Sequence, residues 1–293
     1  MISLLKREDK IVWTFRKQYP PKVVFYDTRY NKFVKQVSYH VKYKPFLIPI
    51  GVEVIPSEHN VYENGKGGVI SLKNMSLNEP QKGTLETDVK VCWGPVVDTQ
   101  MKNYNKVVVE SGSTLSSQNF GYLNKNGNYN YNSGHIPSPF NEDFSRNVNY
   151  SDTAGTAYNA LSDFQGKGNT AILINTRGVK DYEIWTPSNT VNDYPAASVC
   201  HMYYTEGTKQ GDWYLPSAGE LGYLMPFWDE VKKCFAVIQK YYGEEKGIMV
   251  LDGAGLWTSS ENAAKNARYV ETNNGLGYSD KTTNYTVRAF IQI

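Results

Sequence analysis

Residues 211–220 read Gly-Asp-Trp-Tyr-Leu-Pro-Ser-Ala-Gly-Glu, and this stretch constrains the fold more than any other. Trp213 and Leu215 alternate with Tyr214 as in a short strand, and Pro216 stops it. Ser217 then stands where a helix N-cap belongs, with Glu220 three residues on. That spacing predicts a capping box, in which the two side chains satisfy each other's orphan backbone donors. A second tryptophan motif, Trp257-Thr-Ser259-Ser260-Glu261, lies downstream of it.

Other landmarks frame these two motifs. Residues 49–55 followed by 68–73 read as a hairpin, Ala157 to Thr170 as a short helix ending in Gly-Lys-Gly-Asn-Thr, and Tyr194-Pro195 as another helix start. The stretch from Tyr285 to Phe290 reads as a closing strand. In this arrangement the chain resembles the C-type-lectin-like domains of the Fibrobacter major-paralogue type, found in gut bacteria and in virion proteins of tailed phages that infect them. The resemblance covers roughly 46–293 and implies an α+β, C-type-lectin-like fold whose first and last strands pair. It also implies that Trp213, Leu215, Pro216, Ser217, Glu220, Trp257, Ser259, Ser260 and Glu261 belong to the framework of the domain.

Residues 1–45 and an insertion at about 100–150 fall outside the resemblance. The first contains β-rich runs, 11–15, 23–26 and 33–41, separated by turn residues. About 45 residues bury too little surface to be stable alone, so the expectation is an anchor or oligomerisation segment carrying Trp13, Phe15, Phe25, Tyr26 and Phe33 to a partner. Its excess of lysine and arginine fits an acidic partner surface or a guarded edge strand. The insertion is rich in asparagine and tyrosine, a composition that reads as a polar surface loop suited to contact.

The same physical reasoning excludes several classes. Thirty-one basic against 29 acidic residues leave a net charge of +2, without the concentrated basic face of a nucleic-acid binder. Residues 1–10 lack the apolar core of a secretory leader, and no run approaches the roughly 18 apolar residues of a membrane span. Cys92, Cys200 and Cys234 are odd in number and widely spaced, against a disulfide framework or a zinc site. The expectation is therefore a chain folded in a reducing cytoplasm, with no membrane insertion, metal or cofactor. Tyrosine outnumbers phenylalanine 23 to 11, which fits either strand content or a wet binding surface.

The calcium-binding loop of sugar-binding C-type lectins has no counterpart: Glu79-Pro80-Gln81 departs at its last position, and Val191-Asn192-Asp193 lacks the tryptophan. Formylglycine-generating enzymes share the fold implied and need reactive cysteines. Cys200 instead reads as a helix interior, and neighbouring His201 does not face it. The remaining candidates are ligand-contact residues in the loops near the C-terminal strands, Asn262, Asn266, Asn273, Asn274 and Tyr278, which are equally compatible with ordinary hairpin turns.

These observations lead to one expectation and two alternatives. The expectation is a non-enzymatic virion protein of a tailed phage, a head fibre, decoration or tail-associated adhesin assembled in the host cytoplasm. It would attach to other virion proteins through residues 1–45, form a homotrimer, and display a lectin-like domain toward a host-surface glycan or protein. The alternatives are a bacterial cell-surface adhesin and a relic of the formylglycine-generating enzymes.

Overall fold

Short runs of β-branched and aromatic residues, punctuated by Asn, Gly and Pro, fold into antiparallel strands, with four helices among the described residues set against them. The computed structural model describes residues 20–59, 61–62, 65–94, 163–177, 194–224, 227–249, 253–261, 266–271 and 275–293. In chain order these form β1 (Lys22–Asp27), β2 (Lys32–Val37), β3 (Leu47–Ile55), β4 (Gly68–Ser71) and β5 (Val91–Cys92). Helices α1 (Gly166–Arg177), α2 (Pro195–Met202), α3 (Ala218–Gly222) and α4 (Trp228–Tyr242) follow. The chain closes with β6 (Gly255–Glu261), β7 (Asn266–Glu271), β8 (Gly275–Asp280), β9 (Asn284–Tyr285) and β10 (Phe290–Gln292). It is a mixed α and β architecture in which the sheets organise the core.

The main sheet has the order β10-β4-β3-β1-β2, a second sheet the order β6-β7-β8, and β5 pairs with β9. β3 and β4 form the antiparallel hairpin expected from residues 49–55 and 68–73. Nearly every residue of β3 is buried, because both faces of the sheet are covered. On one face Val23, Phe25, Val52, Val54, Ile70 and Phe290 pack with α3 and α4. On the other, Val24, Ile50, Val69 and Ile291 pack with α2, Trp213 and Trp257. Helix α4 buries Val231, Cys234, Phe235 and Ile238, the stripe that its helical spacing predicts, and Gly243 ends it at φ 103°.

The boundary expected at residue 45 is not a boundary in the sheet. β1 pairs with β3 from Lys22↔Glu53 to Asp27↔Leu47, with a register shift at Val24/Phe25. Its other edge takes β2 in continuous register. Segment 20–45 thus contributes core rather than an anchor. The physical reason is a carboxylate: Glu53 of β3 is buried, and Lys35 of β2 reaches it at 2.6 Å while Lys22 of β1 lies 3.7 Å away. Burying Glu53 requires those cations. At the tip of the β1–β2 hairpin, Asn31 adopts φ 50°, a conformation asparagine tolerates well. Residues 1–19 and the Asn/Tyr-rich insertion lie outside the described residues.

Three further expectations need correction. The glycine-rich stretch 166–170 begins helix α1 instead of ending a helix. Gly166 is there for close approach, since a Cβ would stand 2.2 Å from Glu220 Oε2 and 2.7 Å from the Ser217 nitrogen. The closing strand splits into β9 and β10, separated by residues 286–289. The final strand pairs with β4 and not with the first strand of the sheet, so β4 fills the place between β10 and β3.

Candidate functional site

The two tryptophan motifs meet in one buried polar cluster. Ser217 caps α3, and both halves of the capping box are made: the Ser217 N–H donates to Glu220 Oε2 at 2.8 Å, and the Glu220 N–H to Ser217 Oγ at 3.5 Å. Ser217 Oγ donates to the Asp163 carbonyl at 2.5 Å. From the second motif, Ser260 Oγ donates to Asp163 Oδ2 at 2.6 Å and accepts from the Ala218 N–H at 2.9 Å. Asn169 Nδ2 donates to Asp163 Oδ2 and to Ser259 Oγ, at 3.0 and 3.1 Å. The Ser259 N–H donates to the Pro216 carbonyl at 2.7 Å, closing the ring of contacts. Glu220 Oε1 accepts from Tyr62 at 2.8 Å and from Tyr214 at 3.0 Å.

Sequence reasoning identified the serines and Glu220 but not their partners. Asp163, Asn169 and Tyr62 come from distant positions and only the fold brings them together, while Tyr214 lies within the first motif itself. The tryptophans complete the framework from outside. Trp257 Nε1 donates to the Val91 carbonyl at 2.9 Å, while Trp93 Nε1 donates to the Thr258 carbonyl at 2.6 Å. This reciprocal tie joins the β5 region to β6. Trp213 Nε1 donates to Thr208 Oγ1 at 3.0 Å, and its ring meets Tyr203 edge-on at 5.1 Å. All three indoles are fully buried. Of Glu261 only the backbone, at the end of β6, is described.

The cluster has serines and carboxylates, all of them buried. Ser217, Ser259, Ser260 and Glu220 are each 0 % exposed. Its polar groups bond to one another, so the arrangement holds α1, α3 and β6 in register. Fully satisfied buried networks of this kind rigidify and specify a core. The reactive-thiol alternative also lacks geometry: burial pushes the Cys200 thiol well above its ordinary range, that of Cys92 to about 11 and that of Cys234 to about 12. These sulfurs stay protonated and are poor nucleophiles.

Burial also leaves a pH signature. It pushes Asp163 up to about 6, against the opposing hydrogen bonds from Ser260, Gln165 and Asn169. It pushes Glu220 to about 7, against those from Ser217, Tyr62 and Tyr214, with nearby Asp163 adding to the rise. Both folded values lie above the unfolded ones, 3.8 and 4.5. The folded state therefore holds protons that the unfolded chain has already released. Their stabilising contribution is complete below about pH 4 and is lost as pH rises through 6 and 7. Urea unfolding is expected to show stability falling by a few kcal/mol between about pH 4 and about pH 7. Glu220→Gln should remove the upper part of that slope, and an unchanged pH profile in this variant would contradict the assignment.

Of the ligand-contact candidates, Asn262, Asn273 and Asn274 lie outside the described residues. The other two come together: Asn266 pairs with Asp280 across β7 and β8, and Tyr278 with Arg268 two positions along. Asn266, Arg268, Tyr278 and Asp280 thus share one sheet face. The Arg268 guanidinium lies 5.8 Å from the Tyr278 ring centre, which ties that tyrosine into the sheet. Among the described residues no group of three or more His, Cys, Asp or Glu side chains could hold a metal ion. Thermal melts with and without a chelator are expected to coincide, since a metal bound only to the folded state would raise the midpoint by mass action.

An open groove of about 600 Å³ lies elsewhere, at the N-terminal end of β3. Its floor is Leu47, Ile48, Pro49 and Ile50, and its walls include Tyr43, Tyr204 and Tyr242. Tyr43 is 60 % and Tyr204 49 % exposed. Sequence reasoning missed this feature. The signal was the tyrosine surplus: among the described residues, Tyr30, Tyr39, Tyr43, Tyr204 and Tyr241 are exposed, and Leu85 is the other large hydrophobic side chain so placed.

No protein-family model matches the chain, and no curated protein matches it. Among solved structures it is similar to a fimbrial protein from Bacteroides ovatus, at 13% sequence identity and a TM-score of 0.41. That alignment covers 93% of this chain and 48% of the fimbrial protein, so the chain spans about half the length of that structure.

Proposed function

We propose that this chain is a non-enzymatic structural protein that displays a C-type-lectin-like binding domain on the outside of a phage particle. The observation that carries the reading is the contrast between its two polar regions. The motif cluster is closed and internally satisfied, whereas the tyrosine-walled groove is open and of the size that small-ligand sites have. A protein so built binds through its surface and uses its buried polar groups for framework. The linkage of both tryptophan motifs to the closing segment supports the lectin-like frame: Tyr214 exchanges two backbone hydrogen bonds with Phe290, and Trp257 donates to the Thr286 carbonyl.

Three free cysteines, two of them fully buried, support folding in a reducing compartment. That fits a virion protein assembled in the host cytoplasm better than an exported bacterial adhesin. Attachment to other virion proteins and assembly of a homotrimer are assigned to residues 1–19, because residues 20–45 already belong to the sheet. The test uses particles of the phage that encodes the chain. Mass spectrometry and immunogold labelling should find the protein on the virion surface, and purified full-length chain should compete with particles for host cells. Absence from particles together with failure to bind cells would overturn the reading. Recovery from a bacterial envelope without particles would establish the adhesin in its place.

A further inference from the structure

The groove beside β3 has features that select a class of ligand. Its aromatic wall is rigid before anything binds. The Tyr43 ring lies 5.4 Å from Tyr242, which lies 5.4 Å from buried Phe25. The Tyr242 hydroxyl donates to the Lys42 carbonyl at 3.2 Å and accepts from the Lys44 N–H at 3.3 Å, so both the ring and the loop bearing Tyr43 are held. Opposite, the Tyr204 N–H donates to the Gln81 carbonyl at 3.1 Å, fixing the backbone from which its exposed ring projects. The Tyr43 ring is thus held against Tyr242 and the Tyr204 backbone is fixed, which lowers the ordering cost of binding at both.

The rim is charged with a definite sign. Lys44, Lys73, Lys82 and Lys246 line the groove, against Glu206 and Glu245, a surplus of two positive charges. Lys246 approaches Glu245 at 3.9 Å, and Lys82 approaches Glu79 outside the groove at 3.8 Å. Both are solvent-exposed pairs that hold their lysines weakly. A ligand carrying carboxylate or sulfate groups complements this rim.

The floor argues against an acidic peptide. β3 pairs with β4 only from Gly51 onward, so residues 47–50 are without a β4 partner. A peptide added there as a strand would need a ladder of backbone donors. The Leu47 N–H already donates to the Lys44 carbonyl, and Pro49 has no N–H. A saccharide needs no such ladder, because its ring faces stack on aromatic side chains and its substituents reach polar groups.

We propose that this groove binds an acidic saccharide, with sugar rings against Tyr43 and Tyr204 and the acidic groups toward Lys73 and Lys246. The proposal rests on the reading of the chain as a surface-binding protein and adds the site and the ligand class. It is tested by titrating the full chain calorimetrically with tetragalacturonate, sialyllactose and a chondroitin sulfate tetrasaccharide. Cellotetraose and a hexaglutamate peptide serve as controls. At least one acidic saccharide should bind, and Tyr43→Ala or Tyr204→Ala should each weaken it about tenfold. The double variant Lys73→Gln, Lys246→Gln should weaken it as well, as should salt at about 0.5 M. These are exposed or rim positions, and thermal melts check that each variant folds. Equal binding of cellotetraose, tighter binding of hexaglutamate, indifference to the groove variants, or no acidic saccharide bound at all would each overturn the proposal. Host-cell binding by the same variants separates the two levels. If wild type and variants adhere equally, the surface-binding function stands and the groove assignment falls.

Discussion

A chain lacking residues 1–45 is expected not to fold. β1 is an interior strand, paired on one side with β2 and on the other with β3, and its removal strips the outer edge from β3. Val23, Val24 and Phe25 are each 0 % exposed and divide between the two faces of the sheet. At about 1.5–3 kcal/mol for each fully buried side chain, their loss approaches the whole net stability of a typical domain, about 5–15 kcal/mol. The deletion also removes Lys22 and Lys35, the cations that face the Glu53 carboxylate. Circular dichroism and a denaturant titration would check this, the expected result being no cooperative transition. A deletion of residues 1–19 alone leaves every described strand in place and is expected to melt cooperatively. A folded product of the longer deletion would restore the boundary at residue 45.

That boundary illustrates what the sequence conceals. The strand runs 23–26 and 33–41 were legible from β-branched and aromatic content, and β1 and β2 stand there, although β2 ends at Val37 and Ser38–His40 turn as a 3-10 helix. Their pairing was not legible, because nothing local says that Lys22 and Lys35 answer Glu53, residues 18 or more positions away. Local chemistry was readable wherever the partners lie within one turn of helix, as in the Ser217–Glu220 capping box and the stripe of α4. The same limit applies to the polar cluster, where the serines stand out in their motifs but Asp163, Asn169 and Tyr62 do not. Gly166 misled for a related reason. The stretch Gly-Lys-Gly-Asn-Thr reads as the end of a helix, while Gly166 lets the backbone approach Glu220, a contact that only tertiary structure creates. The groove was illegible because it draws on five separate stretches of the chain, and the tyrosine surplus signalled a wet aromatic surface without placing it.

Trp257→Ala is expected to destabilise the protein by about 3–5 kcal/mol, as truncation of large core aromatics does. Three losses coincide at this residue. The indole is fully buried, so removing it leaves a cavity that its neighbours close only in part. Its ring meets Tyr285 edge-on at 4.8 Å and Tyr269 at 6.2 Å, while those two tyrosines stack on each other at 4.5 Å. Removing the central ring dismantles an aromatic cluster whose pairs each contribute about 0.5–1.5 kcal/mol beyond area burial. The Val91 carbonyl also loses its hydrogen bond from Nε1, half of the reciprocal tie to the β5 region. For a chain of this length the thermal midpoint should fall by roughly 5–15 °C. Trp257→Phe separates the terms: it restores most of the ring volume but not the N–H, and should cost about 1–3 kcal/mol. Equal stability of Trp257→Ala and wild type in matched urea titrations would remove Trp257 from the core. Equal costs for the alanine and phenylalanine variants would instead assign the whole effect to the Val91 hydrogen bond.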